Sequence, residues 1–271
     1  MPEGHVIHRL AEKLDARFGG TPVEVSSPQG RFSREAAELS GSTFDGAEAW
    51  GKHLFLRFAE ERIVHIHLGL IGTFRIQPFA EPKGQVRLRI ADTGHQLAAD
   101  LHGPQWCRLI TPPEMEGVIA KQGADPLRGD ANPAGTFAAV QRSRRGVGSL
   151  LMDQKLFAGV GNIYRAETLF RLGISPALPG NQLTDEQLHA IWADLVELMA
   201  AGKAAGRIDT VRPEHTPEAM HRPPRKDDHG GEVYVYRRTG LPCLVCGTPI
   251  AQRILDGRNL FWCPGCQGGI A

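Results

Sequence analysis

The chain has 271 residues, enough for about two domains with their own cores. With 41% hydrophobic and 23% charged residues the composition is that of a globular protein, and no apolar run is long enough to cross a membrane as a helix. The net charge of +1 excludes a uniformly basic polyanion binder, but the charge is unevenly spread: residues 1–140 carry 15 basic and 17 acidic side chains, and residues 141–172 carry six basic and two acidic ones, a net of −2 against +4. A local basic patch on a near-neutral protein is able to bind a polyanion, although on charge alone a solvated face is the favoured reading.

The start, Met1-Pro2-Glu3-Gly4, lacks a basic region followed by an apolar stretch, so a cytoplasmic protein is expected. Ile7, Leu10, Leu14 and Phe18 recur at helical spacing and predict an amphipathic helix over 4–18, ended by Gly19-Gly20. His5 and His8 on it are expected at the surface or an interface. From Pro22 to about Thr111 the pattern turns to short strands, among them Thr21–Ser26, His53–Phe58, Ile63–His67, Val86–Ile90 and Gln96–Leu101. This predicts a β-sandwich or barrel with a helix leading into it. His65 and His67 alternate with apolar residues and share a face; without an evident third ligand, a packed, hydrogen-bonded role is expected for them.

The Pro-, Gly- and Arg-rich stretch over 128–146 reads as a linker, after which the pattern is helical. One helix is expected from Ser149 to Gln154, a second from Asn162 to Arg171, and a third capped by Thr184 and ending near Gly202. Between the first two lies the turn Ala158-Gly159-Val160-Gly161-Asn162, whose glycines permit close backbone approach. Asn162 stands at a helix N-terminus, where backbone N–H groups favour a phosphate. Residues 207–232, rich in Pro, His and charge, read as a loop, either a mobile one or one ordered by a ligand.

Cys243 and Cys246 are two residues apart, as are Cys263 and Cys266, with 16 residues between the pairs. Four thiolates at this spacing suit one tetrahedral zinc ion in a closed structural site, with a hairpin between the pairs. Two disulfides, a rubredoxin-like iron site and a redox dithiol are the competing readings; the size of the chain and its start weigh against disulfides. Arg253 and Arg258 on the hairpin suggest a phosphate partner.

Four motifs then stand in order: Pro2-Glu3-Gly4, Gly51-Lys52-His53-Leu54, Ala158-Gly-Val-Gly-Asn162 and Arg258-Asn-Leu-Phe-Trp-Cys-Pro-Gly-Cys-Gln267. Together they resemble the formamidopyrimidine-DNA glycosylase / endonuclease VIII family over nearly the whole chain. The resemblance implies an α+β fold in parts: an N-terminal helix and β-sandwich catalytic domain over 1–130, a linker over 131–146, a helix–two-turn–helix domain over 147–232 with its loop at 207–232, and a zinc finger over 233–271. It implies a bifunctional glycosylase and AP lyase that works as a monomer on duplex DNA carrying a damaged or abasic nucleotide. Pro2, exposed by removal of Met1, would be the amine nucleophile and Glu3 the acid that protonates the sugar ring oxygen. Lys52 and Arg258 would complete the catalytic set: Lys52 would bind a phosphate flanking the lesion and orient the sugar, and Arg258 with Asn162 would grip the phosphate backbone. Leu70 would fill the void in the duplex, and Cys243, Cys246, Cys263 and Cys266 would hold zinc. After Pro104 the purine-acting branch has Arg-Arg-Phe; here Gln105, Trp106 and Cys107 follow, and no wedge residue is carried over from that loop. This departure and the finger's last residues look more like the endonuclease VIII branch, which prefers oxidised pyrimidines. The alternatives are a purine-acting enzyme of the family, a DNA-binding module without chemistry and an RNA-binding zinc ribbon.

Overall fold

The computed structural model describes residues 2–226 and 231–269, so the fate of Met1 and positions 227–230 of the 207–232 loop lie outside the described residues. The chain divides into two compact units, 1–121 and 122–271. The division falls nine residues before the expected boundary at 130. The expected linker over 131–146 holds a helix, Ala134–Gln141, whose Val140 is fully buried.

The first unit opens with helix α1 (Gly4–Phe18), which buries Ile7, Leu10, Leu14 and Phe18 as its periodicity demands. Eight antiparallel strands follow: β1 (Thr21–Ser26), β2 (Thr43–Trp50), β3 (His53–Phe58), β4 (Arg62–His67), β5 (Thr73–Pro78), β6 (Val86–Asp92), β7 (Leu97–His102) and β8 (Trp106–Ile110). Their order is β5-β7-β6-β1-β2-β3-β4-β8. The first residues of β1 pair with β2 and the remainder with β6, so one strand serves both halves of the sheet. Leu54, Leu56 and Phe58 from one half share a core with Leu88, Ile90 and Leu101 from the other and with α1, which is the packing of a sandwich. Two short helices, α2 (Ser33–Leu39) and α3 (Pro112–Ile119), add to the predicted elements. Helix α3 starts with a Thr111/Glu114 capping box and covers Phe55 and Ile63 on the outer face of the sheet with Met115.

The second unit holds α4 (Ala134–Gln141), α5 (Val147–Leu150), α6 (Asn162–Arg171), α7 (Asp185–Ala205), a hairpin of β9 (Ala251–Leu255) and β10 (Arg258–Trp262), and α8 (Pro264–Gln267). The helix expected over 149–154 is a single turn, α5. Its continuation is replaced by a turn that the Gln154 side chain ties down, donating to the carbonyls of Met152 and Val160 and accepting from Gly159 N–H. Helix α7 begins at Thr184 with a capping box to Gln187, and runs past Gly202 to a left-handed cap at Gly206. The hairpin does not build a core of its own: Cys243, Ile250, Phe261 and Cys263 share one apolar cluster with Leu169, Phe170, Leu195 and Met199 of α6 and α7.

Candidate active site

Glu3 is the N-terminal cap of α1 and its side chain is 1% exposed; Pro2 before it is half-buried. At the far end of α1, Phe18 sets its ring against Phe44 at the start of β2. The helix packs along that strand. Fifteen helical residues span about 22 Å and eight strand residues about 26 Å. Pro2 and Glu3 therefore lie at the end of the sandwich where β2 turns into β3. That turn is the two-residue loop Gly51-Lys52 between the paired Trp50 and His53. Gly51 sits at φ 58°, which suits glycine, and Lys52 is half-buried.

The same end carries a cluster absent from the expected catalytic set. His53, His67 and Trp106 are cross-strand neighbours, with His65 one step down the face. His53 Nδ1 and His65 Nε2 are 2.9 Å apart, and Trp106 stacks on His67 with ring centroids 4.6 Å apart. Burial first, then the charges of neighbouring groups, holds His53 at about 3 and His65 at about 4. The charge of Lys52 adds to the depression of both His53 and His67. The expected shared face of His65 and His67 is found, and both rings are packed and hydrogen-bonded. His5 departs from expectation: it is 4% exposed, and burial together with Arg9 lowers it to about 4, because the first turn of α1 is buried on more sides than its apolar stripe suggests.

His67 leads into the loop that bears Leu70. Gly69 N–H donates to His67 Nδ1 and Gly72 N–H to the Leu68 carbonyl, so the loop is a closed turn. At its tip Leu70 is 64% exposed and Ile71 83% exposed, an aliphatic pair held in solvent. The sequence reading includes Leu70 and omits Ile71; the signal for Ile71 is the glycine on each side of the pair. Of the loop after Pro104, Gln105 is exposed, Trp106 is committed to the histidine cluster and Cys107 is in the core.

In the second unit, Gly159 at φ 85° turns the chain into α6, and Asn162 begins that helix without a side-chain cap. Asn162 Nδ2 donates to the Asn259 carbonyl at 2.9 Å. Arg258, the residue before Asn259, is exposed and opens β10 directly after the Asp256-Gly257 turn. The helix N-terminus and the hairpin arginine are thus brought together. Part of the 207–232 segment is anchored: Thr210 Oγ1 and the backbone N–H groups of Tyr234, Val235 and Tyr236 all donate to the fully buried Glu167 carboxylate of α6.

The four cysteines converge. Their sulfurs lie within 4.8 Å of one another, with Cys243–Cys266 at 3.8 Å and Cys246–Cys263 at 3.4 Å. Tetrahedral zinc–thiolate bonds set sulfurs about 3.8 Å apart, so the donor set fits that ion. Hydrogen bonds from Thr248 lower the Cys246 thiol to about 6, while burial pushes Cys263 and Cys266 up. Gly265 is required here, because a Cβ would stand 2.9 Å from Cys246 Sγ and 2.5 Å from Thr248 Oγ1. Cys263 N–H is held by Gln267 Oε1, and Gln267 Nε2 binds the Ile174 carbonyl beyond α6.

A helix-fronted β-sandwich unit and a helical unit completed by a four-thiol knuckle are the parts of the DNA glycosylases built with a zinc finger. Residues 1–102 match the formamidopyrimidine-DNA glycosylase N-terminal domain, 122–212 its H2TH domain, and 240–268 the zinc finger found in FPG and IleRS. Endonuclease 8 1 of Mycobacterium tuberculosis is 48% identical, over 98% of this chain and 100% of that protein. A formamidopyrimidine-DNA glycosylase of Parasynechococcus marenigrum is 34% identical over 99% of both. The Lactococcus lactis Fpg in complex with DNA containing an abasic site superposes with a TM-score of 0.80 at 23% identity, over 98% of this chain and 100% of that one, and so shares its fold. The chain belongs to the formamidopyrimidine-DNA glycosylase / endonuclease VIII family, whose members are DNA glycosylases and AP lyases of base excision repair.

Proposed function

We propose that this protein excises oxidised bases, pyrimidines above all, from duplex DNA and cleaves the strand at the resulting site through an N-terminal proline Schiff base. The observation that carries the reading is Pro2-Glu3 at the buried start of α1, on the same end of the sandwich as Lys52. A free α-amine titrates near 7.7–8.0, far below lysine, so a terminal Pro2 holds a usable lone pair near neutral pH. Its nitrogen attacks the anomeric carbon and the glycosidic bond breaks with the base as leaving group. Glu3 gives its proton to the ring oxygen as the ring opens to the iminium. The iminium acidifies the neighbouring carbon; loss of that proton expels the 3′ phosphate by β-elimination, and δ-elimination then releases the 5′ phosphate.

Lys52, Asn162 and Arg258 hold the phosphates around the extruded nucleotide, and Leu70 with Ile71 fills the space it leaves. One zinc ion on Cys243, Cys246, Cys263 and Cys266 has a structural part only, since four protein thiolates leave no open position. The likeness to Endonuclease 8 1 and the Gln105-Trp106-Cys107 sequence support the pyrimidine preference. The enzyme acts as a monomer in the cytoplasm.

Borohydride trapping tests this reading, with duplexes carrying an abasic site, dihydrouracil or 8-oxoguanine. Wild type is expected to give a stable adduct, fastest on dihydrouracil among the base lesions, and Pro2→Gly little or none. Equal trapping by Pro2→Gly would remove the proline from the mechanism, and faster trapping on 8-oxoguanine would move the protein to the purine branch.

A further inference from the structure

Arg165 is among the largest fully buried side chains, 1% exposed, and the sequence pattern treats it only as one charge of a basic patch. It lies one turn after Asn162 on α6, hence on the same face. Its guanidinium reaches three segments. One terminal nitrogen donates to Asn162 Oδ1 and, at 3.0 Å, to the Asn259 carbonyl; the other donates to the Gly148 carbonyl of α5 at 3.4 Å. The Asn259 carbonyl is also the acceptor for Asn162 Nδ2. Arginine, asparagine and hairpin carbonyl therefore form a closed three-membered network.

This network fixes the amide of Asn162. With Oδ1 accepting from the guanidinium, the amide nitrogen is left as the donor, and it donates to the Asn259 carbonyl. The same guanidinium holds β10 at the residue next to Arg258, setting the distance from the helix N-terminus to the hairpin arginine. A planar fork with several donors makes such a three-way tie, whereas an ammonium is a single point. Held out of solvent, the guanidinium also brings a permanent positive charge close to the position a phosphate would take.

We propose that Arg165 is a positioning residue that presets Asn162 and Arg258 as one phosphate clamp. The inference rests on the reading of Asn162 and Arg258 as phosphate contacts. It goes beyond it by assigning their geometry to a buried residue that touches no DNA.

A double-mutant cycle tests it on the zinc-loaded full chain. Affinity for a duplex with a tetrahydrofuran abasic analogue is measured at several salt concentrations for wild type, Asn162→Ala, Arg165→Met and the double variant, with zinc content and melting temperature followed throughout. Asn162→Ala and Arg165→Met are each expected to weaken binding roughly tenfold, and the double variant by clearly less than the product of the two losses, since part of each loss is the same. In single-turnover experiments the enzyme concentration that gives half the maximal rate is expected to rise roughly tenfold for Arg165→Met, in step with the loss of affinity. Arg165→Lys guards against a folding defect: it is expected to keep zinc and melting temperature and still lose affinity, because it keeps the charge and loses the fork. Full additivity of the two losses, or wild-type affinity in both Arg165 variants, overturns the proposal while leaving Asn162 a contact. An Asn162→Ala variant with unchanged affinity would instead overturn the underlying reading of Asn162, and the proposal with it.

Discussion

His53 and His65 show what a residue's setting does to its charge. In the folded chain they titrate near 3 and 4, against 6.5 when unperturbed, with burial as the main cause. Between these values the unfolded chain binds protons that the folded chain refuses, so stability is full above about pH 6.5 and falls as the pH drops toward 4. His65→Phe, which keeps a ring beside Phe55, is expected to flatten this dependence by up to one proton, or about 1.4 kcal/mol per pH unit. Urea midpoints between pH 6.5 and 4.5 measure it, and an unchanged slope would show that His65 does not resist protonation. At this scale the sequence was informative where residues are tied to position in a motif: the four cysteines converge, and Asn162 meets the hairpin strand that Arg258 opens. The histidine cluster was only half legible. Alternation put His65 and His67 on one face, but the cross-strand partners His53 and Trp106 depend on register, which no local pattern encodes.

At the scale of elements, α6 organises its unit. Asn162 and Arg165 hold the hairpin, Glu167 holds both ends of the 211–233 segment, and Arg171 pairs with Asp194 of α7 and the Thr210 carbonyl. Glu167 is the sharpest case, since one buried carboxylate accepts three backbone N–H groups and a hydroxyl. Glu167→Gln puts an amide with its own hydrogens among those donors. We expect it to destabilise the protein by about 2–4 kcal/mol, read as a lower urea midpoint with unchanged slope. A loss below about 0.5 kcal/mol would mean that water or a neighbour takes over the carboxylate's part. The long periodic elements α1 and α6 were legible to the residue, because an apolar stripe and flanking glycines specify both ends. Helix α5 was not, because its apolar run Leu150-Leu151-Met152 reads as helix while the Gln154 side chain satisfies the turn that replaces it.

For the whole molecule, the expected parts exist but their borders follow cores and not composition. The stretch rich in Pro, Gly and Arg looked like a linker, yet Val140 is buried within the second unit; the cysteine-rich stretch looked like a separate finger, yet Cys243, Cys263 and Phe261 complete the cluster of α6 and α7. Metal removal should therefore act on all of 122–271. With a chelator strong enough to strip the thiolates, the second unit is expected to melt at lower temperature as one transition, while 1–121 is unaffected. Hydrogen exchange localises the change; protection lost only within 240–268 would show the finger to be independent of the helices.

The shared core also sets an order of events during synthesis. Helices α6 and α7 emerge from the ribosome with Leu169, Phe170, Leu195 and Met199 already made, while Phe261 and Cys263 are still to be added. Until those residues arrive the nascent second unit cannot close its interior, and a translation stall near residue 240 leaves a sticky helical intermediate and no functioning half-product. The first unit has its whole core in hand by residue 121 and is free to fold while the remainder is still being read.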